Sequence, residues 1–309
     1  MGQPTPRTPG RLIPLPGGRG LAIDLVGEPG ALPVFLFHGL PGSRVQRHPD
    51  DRIALRLGVR LILPDRPGCG LSTPAPRRRI ADWPRDVEAI ADALDIGSFA
   101  VGAWSGGAPY ACAAAAMLPH RVSRLALVSP MAPLDRPGAL DSAPEFARRG
   151  FQLVRAAPIL VGPAIASWRR SLLRDPDGVV RTLLPRLSHA DRALLERPGH
   201  PSFLSDMLID AVQQGHEGLA TELKLLASPW GFDPAAIKAP TRIWHGADDR
   251  IVPVSMASHL AAAIPGATLE IAPEGGHFLA FEAWEEMLLW LRGAPPEGFG
   301  AYTPPARVP

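Results

Sequence analysis

Lysine is nearly absent from this chain: Lys224 and Lys238 are the only two among 32 basic residues, which face 30 acidic ones for a net charge of +2. That balance leaves no single-sign field able to recruit nucleic acid or an anionic membrane, and the arginine excess reads as a compositional bias of the genome. Arg77, Arg78 and Arg79 are accordingly read as a solvated surface run. Cysteine is scarce as well. Cys69 lies in a glycine-rich turn and Cys112 in an alanine-rich stretch, contexts that predict no disulfide and a reducing, cytoplasmic location. No run approaches the ~18 apolar residues of a membrane span, and the first residues lack the apolar core of a secretory signal. Neither H-E-x-x-H nor a zinc-type spacing of Cys and His occurs, and G-x-G-x-x-G is missing from the first βα turn. No metal and no cofactor is expected, and the expected partner is a small-molecule substrate.

What the chain does have is alternation. Short β-rich runs at 21–26, 33–37, 60–63, 99–102, 123–128, 241–245 and 267–271 are interleaved with helical patterns at 83–94, 108–118, 255–263 and 283–291. This is the pattern of a mostly parallel central sheet flanked by helices, an α/β fold. At 309 residues the chain is long for one domain, but such folds build around a single sheet with an insertion. The alternation lapses over 131–230, which is read as an inserted helical cap between the two parts of the core, 20–130 and 231–293. Loops at the carboxyl ends of parallel strands build ligand sites, so a cap there would roof a pocket. Pro-rich ends, 1–19 and 294–309, lack the periodicity needed to bury a core and are assigned no chemistry.

Ala103-Trp104-Ser105-Gly106-Gly107 follows an apolar strand and precedes a helix, the setting of the G-x-S-x-G nucleophile turn. A serine exposed at a strained tip crowds the backbone two residues to either side. Ala103 and Gly107 supply the small side chains this demands, Ala replacing the usual Gly at the first position. Phe37-His38-Gly39-Leu40-Pro41-Gly42 follows another apolar strand. A tetrahedral intermediate needs donors for its oxyanion, and the backbone N–H groups of Leu40 and Gly106 are placed to supply them, with His38 bracing the loop.

These motifs resemble the α/β-hydrolase superfamily. Asp65-Arg66-Pro67-Gly68-Cys69-Gly70-Leu71-Ser72 is similar to its D-R-P-G-x-G-x-S turn, and Ser105-Gly106-Gly107-Ala108-Pro109-Tyr110 to the S-G-G-G-P-Y form of the elbow helix. The resemblance covers roughly residues 20–130 and 235–292 and leaves the insertion unmatched. It implies a structural Asp65 and a catalytic order of Ser, Asp, then His. Trp244-His245-Gly246-Ala247-Asp248-Asp249-Arg250-Ile251-Val252-Pro253 matches the family's G-x-x-D-x-x-V-P and selects Asp249 over Asp248. His277, in Gly275-Gly276-His277-Phe278 after the last strand, is selected as base from nine histidines, with His245 and His259 read as packing or surface residues.

The expected function is a serine hydrolase of the carboxylesterase kind, in which Ser105, Asp249 and His277 cleave an ester or related acyl bond. Two alternatives use the same fold: carbon–carbon cleavage or acyl transfer by the same triad, and non-catalytic ligand binding. A carboxylate nucleophile is excluded by the serine at 105. Trp104, beside the serine, and Trp168, Phe203 and Trp230 are candidates for an apolar pocket wall; the last three suit the core of the insertion itself equally well.

Overall fold

The computed structural model describes residues 10–136, 138–197 and 202–294. An eight-stranded sheet forms the centre: β1 (Arg11–Pro14), β2 (Gly20–Val26), β3 (Leu32–Phe37), β4 (Val59–Pro64), β5 (Phe99–Trp104), β6 (Val122–Val128), β7 (Thr241–Gly246) and β8 (Thr268–Ala272). Its spatial order is β1-β2-β4-β3-β5-β6-β7-β8. The first two strands run antiparallel to their neighbours, and every pairing from β4 across to β8 is parallel.

Strand pairing shows why β3 and β5 are apolar at nearly every position. Phe35 and Phe37 enter one hydrophobic layer while Val34 and Leu36 enter the other, the two-residue period of a strand covered on both faces. The helices of the core are α1 (Arg52–Arg56), α2 (Trp83–Ala93) and α3 (Ala108–Met117). Between β6 and β7 come α4 (Glu145–Ala156), α5 (Pro158–Arg174), α6 (Pro176–Leu183), α7 (His189–Leu195), α8 (Phe203–Ala211) and α9 (Glu217–Leu226). The chain then adds α10 (Val254–Ala263), α11 (Leu279–Glu282) and α12 (Trp284–Arg292). Helix α3 is buried along Ala108–Ala115, which explains its run of small side chains: a helix covered all round has no polar face to present.

One difference from the sequence expectations stands out. Arg11–Pro14, inside the Pro-rich end read as lacking the periodicity needed to bury a core, is a strand whose Leu12 and Ile13 pair with Ala22 and Leu21 of β2. Backbone hydrogen bonds there hold a run too short to show a period. Apart from Ala294, the segment 294–309 lies outside the described residues. No described helix is long and apolar enough to cross a membrane.

Register places the site. Phe37 lies beside Ala103, Trp104 beside Val128, Val128 beside Trp244, and Gly246 beside Ala272. The carboxyl ends of β3, β5, β7 and β8 are therefore level, and the loops leaving them carry Leu40, Ser105, Asp249 and His277 along one sheet edge.

Candidate active site

Ser105 follows directly on β5 at φ +54°. Holding a residue with a side chain in this left-handed region costs about 1–3 kcal/mol and persists only where its surroundings enforce it. Buried β5 on one side and the buried first turns of α3 on the other do so, and the Ser105 carbonyl accepts a hydrogen bond from Met131 N (3.2 Å). Gly107 is required by proximity, since a Cβ there would stand 2.4 Å from the Phe37 carbonyl oxygen.

That same packing brings Leu40 to Gly106: a Cβ built on Gly106 would lie 3.4 Å from the Leu40 amide nitrogen. The loop carrying Leu40 is held from several sides. Gly39 N donates to Gln46 Oε1 at 2.5 Å, and the Arg66 amide donates to His38 Nε2 at 3.2 Å. The Arg66 guanidinium donates to the carbonyls of both His38 and Gly39. Burial, reinforced by the Arg66 charge, keeps the His38 imidazole well below its usual pKa, so it is neutral and can accept that amide. Asp65 accepts from Arg44 N (2.6 Å) and Leu71 N (2.8 Å), tying the next turn to the same loop.

Arg66 is itself wholly buried and rests on Glu222 of α9 at 2.7 Å. Glu222 also accepts from Arg78 and from Tyr110 Oη (2.9 Å). Burial alone would raise its pKa, but the Arg66 and Arg78 charges outweigh it and hold the carboxyl at about 2. The reading of three solvated arginines is thus corrected at Arg78, whose side chain is 7% exposed because Glu222 and Tyr110 capture it, while Arg77 and Arg79 are exposed. Glu222 itself carries no sequence signal.

After β7 the chain turns so that Asp249 Oδ1 accepts from the amides of Ile251 and Val252, both at 2.9 Å. Oδ2 pairs with His277 Nδ1 at 2.9 Å and approaches His245 Nε2 at 3.3 Å. Burial of Asp249 disfavours its charge, but the His277 and His245 contacts override this and hold its pKa well below the carboxylate range. Burial likewise opposes protonation of His277, yet the Asp249 carboxylate raises its pKa above the ordinary 6.5. Asp248 turns outward to an exposed pair with Arg250. His245 is buried and its Nε2 also meets the Val252 carbonyl at 2.9 Å, which makes it a packing residue that touches the acid; His259 sits half-buried near Arg136.

Another residue that escaped sequence reading is Asp191. Its carboxylate, on α7, accepts from His277 N (3.0 Å) and Phe278 N (2.7 Å), so a helix from the segment between β6 and β7 holds the histidine loop. Gly276 permits this, as a Cβ there would strike Ser188 Oγ at 2.2 Å. The only trace in sequence is the Ser188-x-x-Asp191 capping box, visible as a helix start but not as a site. Trp104 Nε1 donates to the His277 carbonyl at 3.0 Å and completes the frame.

No hydrogen bond joins Ser105 Oγ to His277 among the described residues, although both line one cavity of about 230 Å³; catalytic hydrogen bonds commonly tighten only when substrate is bound. A second, strongly apolar cavity of about 390 Å³ also opens on Ser105 and is walled by α4 and α5 residues such as Phe146, Phe151 and Ile165. Trp104 lines the first cavity and Trp168 the second. The structure does not bring Phe203 or Trp230 to either: Phe203 packs edge-on against Phe281 with centroids 4.8 Å apart, and Trp230 stacks on Phe232 at 5.6 Å. Both are consumed by packing under the helices. Among the described residues no group of three or more His, Cys, Asp or Glu side chains could hold a metal ion, and Cys69 and Cys112 are buried and unbonded.

Residues 33–161 match the family model described as the alpha/beta hydrolase fold. A Klebsiella pneumoniae protein named as a carbamate hydrolase, RutD, is 31% identical over 254 residues, 81% of this chain and 85% of that relative. This chain belongs to the α/β-hydrolase superfamily. A pimeloyl-[acyl-carrier protein] methyl ester esterase of Aromatoleum aromaticum is 26% identical over 227 residues, 72% of this chain and 82% of the esterase. Among solved structures, a hydrolase from Pseudomonas aeruginosa superposes with a TM-score of 0.68 at 22% identity, covering 92% of this chain and 98% of its own. Within this α/β-hydrolase, the regions the family model leaves unmatched include most of the helices after α4 and the turns of Asp249 and His277.

Proposed function

We propose that this α/β-hydrolase is a serine hydrolase that cleaves an ester or related acyl bond of a small, apolar substrate through an acyl-enzyme. The observation that carries the reading is the Asp249–His277 pair at 2.9 Å on the same sheet edge as the strained Ser105, with an apolar cavity opening on the serine. Ser105 Oγ attacks the carbonyl carbon while neutral His277 takes its proton through Nε2. Asp249 keeps Nδ1 protonated and stabilises the imidazolium that forms. The Leu40 and Gly106 amides receive the negative charge of the tetrahedral intermediate. The intermediate collapses, His277 passes its proton to the leaving oxygen, and water repeats the sequence to release the acid. The carboxylesterase-like character rests on the apolar lining, and the esterase named among the relatives supports it.

Turnover of p-nitrophenyl butyrate tests this. Ser105→Ala and His277→Ala should each lose a factor of roughly 10³ or more in kcat. Turnover by Ser105→Ala at the wild-type rate would remove the serine from the reaction.

A further inference from the structure

We infer that the two cavities meeting at Ser105 divide the substrate: the acyl chain occupies the apolar one, and the leaving group, in the one beside His277, carries a compact anion, a carboxylate, recognised by Arg186 and Gln46. This rests on the proposed acyl-enzyme chemistry and adds a direction and a charge to it.

Direction follows from proton delivery. The leaving oxygen must receive its proton from His277, so it lies on the imidazole side of the scissile bond. His277 lines the cavity of about 230 Å³ and is absent from the lining of the one of about 390 Å³, while Ser105 and Leu40 line both. The acyl group, held with its oxygen toward Leu40 and Gly106, is therefore left with the larger cavity. Its walls, including Met131, Val154, Leu219 and Met256, offer contact to hydrocarbon and little else.

Charge follows from the polar side chains. Apart from Ser105 and His277, the smaller cavity has Gln46 and Arg186, and no acidic side chain lines it among the described residues. Gln46 uses its oxygen to accept Gly39 N, which leaves its amide NH₂ as the donating end. Arg186 has its guanidinium carbon over the Phe146 ring, 5.1 Å from the centroid, and has no carboxylate partner among the described residues. That cation–π contact leaves the guanidinium N–H groups able to donate, and a carboxylate matches their fork in two-bond geometry. Phe146 lines both cavities, so the ring that Arg186 contacts lies where they meet.

The test compares hexanoyl esters of 3-hydroxybenzoate and of 3-hydroxybenzamide, alike in shape and differing in charge, in parallel with fluorophosphonate labelling of Ser105. Wild type should favour the anionic ester roughly fivefold in kcat/KM, a value appropriate to an exposed arginine, and 1 M salt should reduce the preference. Arg186→Glu should invert it, with the variant's folding read from its melting temperature and from stoichiometric labelling of Ser105. Labelled protein that hydrolyses both esters equally, or keeps its preference in Arg186→Glu, overturns the inference alone. Folded protein that takes no label and hydrolyses neither ester overturns the hydrolase reading and this inference with it.

Discussion

Glu222→Gln should damage stability and turnover together, because one carboxylate on α9 holds two arginines and, through Arg66, the loop that carries Leu40. Glu222 and Arg66 have no exposed side-chain surface, and Glu222 accepts from Arg66 Nε, Arg78 and Tyr110 Oη. Neutralising it leaves two guanidiniums buried with their counter-charge gone. Breaking a buried pair in this way costs about 3–5 kcal/mol, a large share of the ~5–15 kcal/mol that holds a typical domain together. At about 2 °C per kcal/mol, the melting temperature should fall by roughly 6–10 °C. The pH dependence has a defined sign. Folding depresses the Glu222 pKa from 4.5 to about 2, so its stabilisation is present above pH 4.5 and is lost as pH falls toward 2. Glu222→Gln should remove that part of the acid sensitivity. Catalysis suffers through Arg66, which donates to the His38 and Gly39 carbonyls just before Leu40. A lost oxyanion donor costs roughly 10²–10³ in kcat, and a loosened loop should cost about tenfold with KM little changed. Differential scanning fluorimetry from pH 7 to pH 3 and steady-state ester kinetics at 20 °C read both effects. A variant that melts with wild type and keeps its kcat would refute the bridge.

The remaining predictions address the histidine and the acyl cavity. The acid limb of kcat/KM should lie above pH 6.5, since activity needs neutral His277 and Asp249 raises its pKa; in Asp249→Asn the limb should move down in pH as the rate falls by about 10⁴, and a pH–rate profile with an unmoved limb would contradict the pairing. Asp191→Ala removes the acceptor for His277 N and Phe278 N, each bond worth about 1.5–3 kcal/mol, and should lower kcat and melting temperature together in the same two assays. Lengthening the acyl chain should raise kcat/KM about fourfold per methylene until the cavity fills, at about 0.8 kcal/mol each, and Ala147→Trp should cancel that gain while sparing acetate esters.

The sheet was legible because its strands are buried on both faces and bounded by turns; runs such as 33–37 and 241–245 differ from β3 and β7 by a residue at one end. β1 was not legible: four residues with three exposed side chains show no period, and only pairing with β2 makes them a strand. Ser105, Asp249 and His277 could be picked out as candidates because each sits in a local motif whose spacing reflects a tight turn. Asp191 and Glu222 could not, since their roles depend on contacts 86 and 156 residues away along the chain, which no local motif records; the Asp191 capping box marks only a helix start. The misreading of Arg78 has the same origin, because its partner Glu222 is 144 residues distant and its neighbours Arg77 and Arg79 are exposed. Phe203 and Trp230 show the converse limit: an aromatic in a helical insertion looks the same in sequence whether it faces a cavity or a neighbouring ring.

The most direct test of an activated serine is stoichiometric reaction with a fluorophosphonate probe, mapped by mass spectrometry of the digested protein. The account predicts one label per chain, on Ser105, lost in Ser105→Ala and slowed by orders of magnitude in His277→Ala. Folded wild-type protein that stays unlabelled, or that takes the label at another residue, would contradict it.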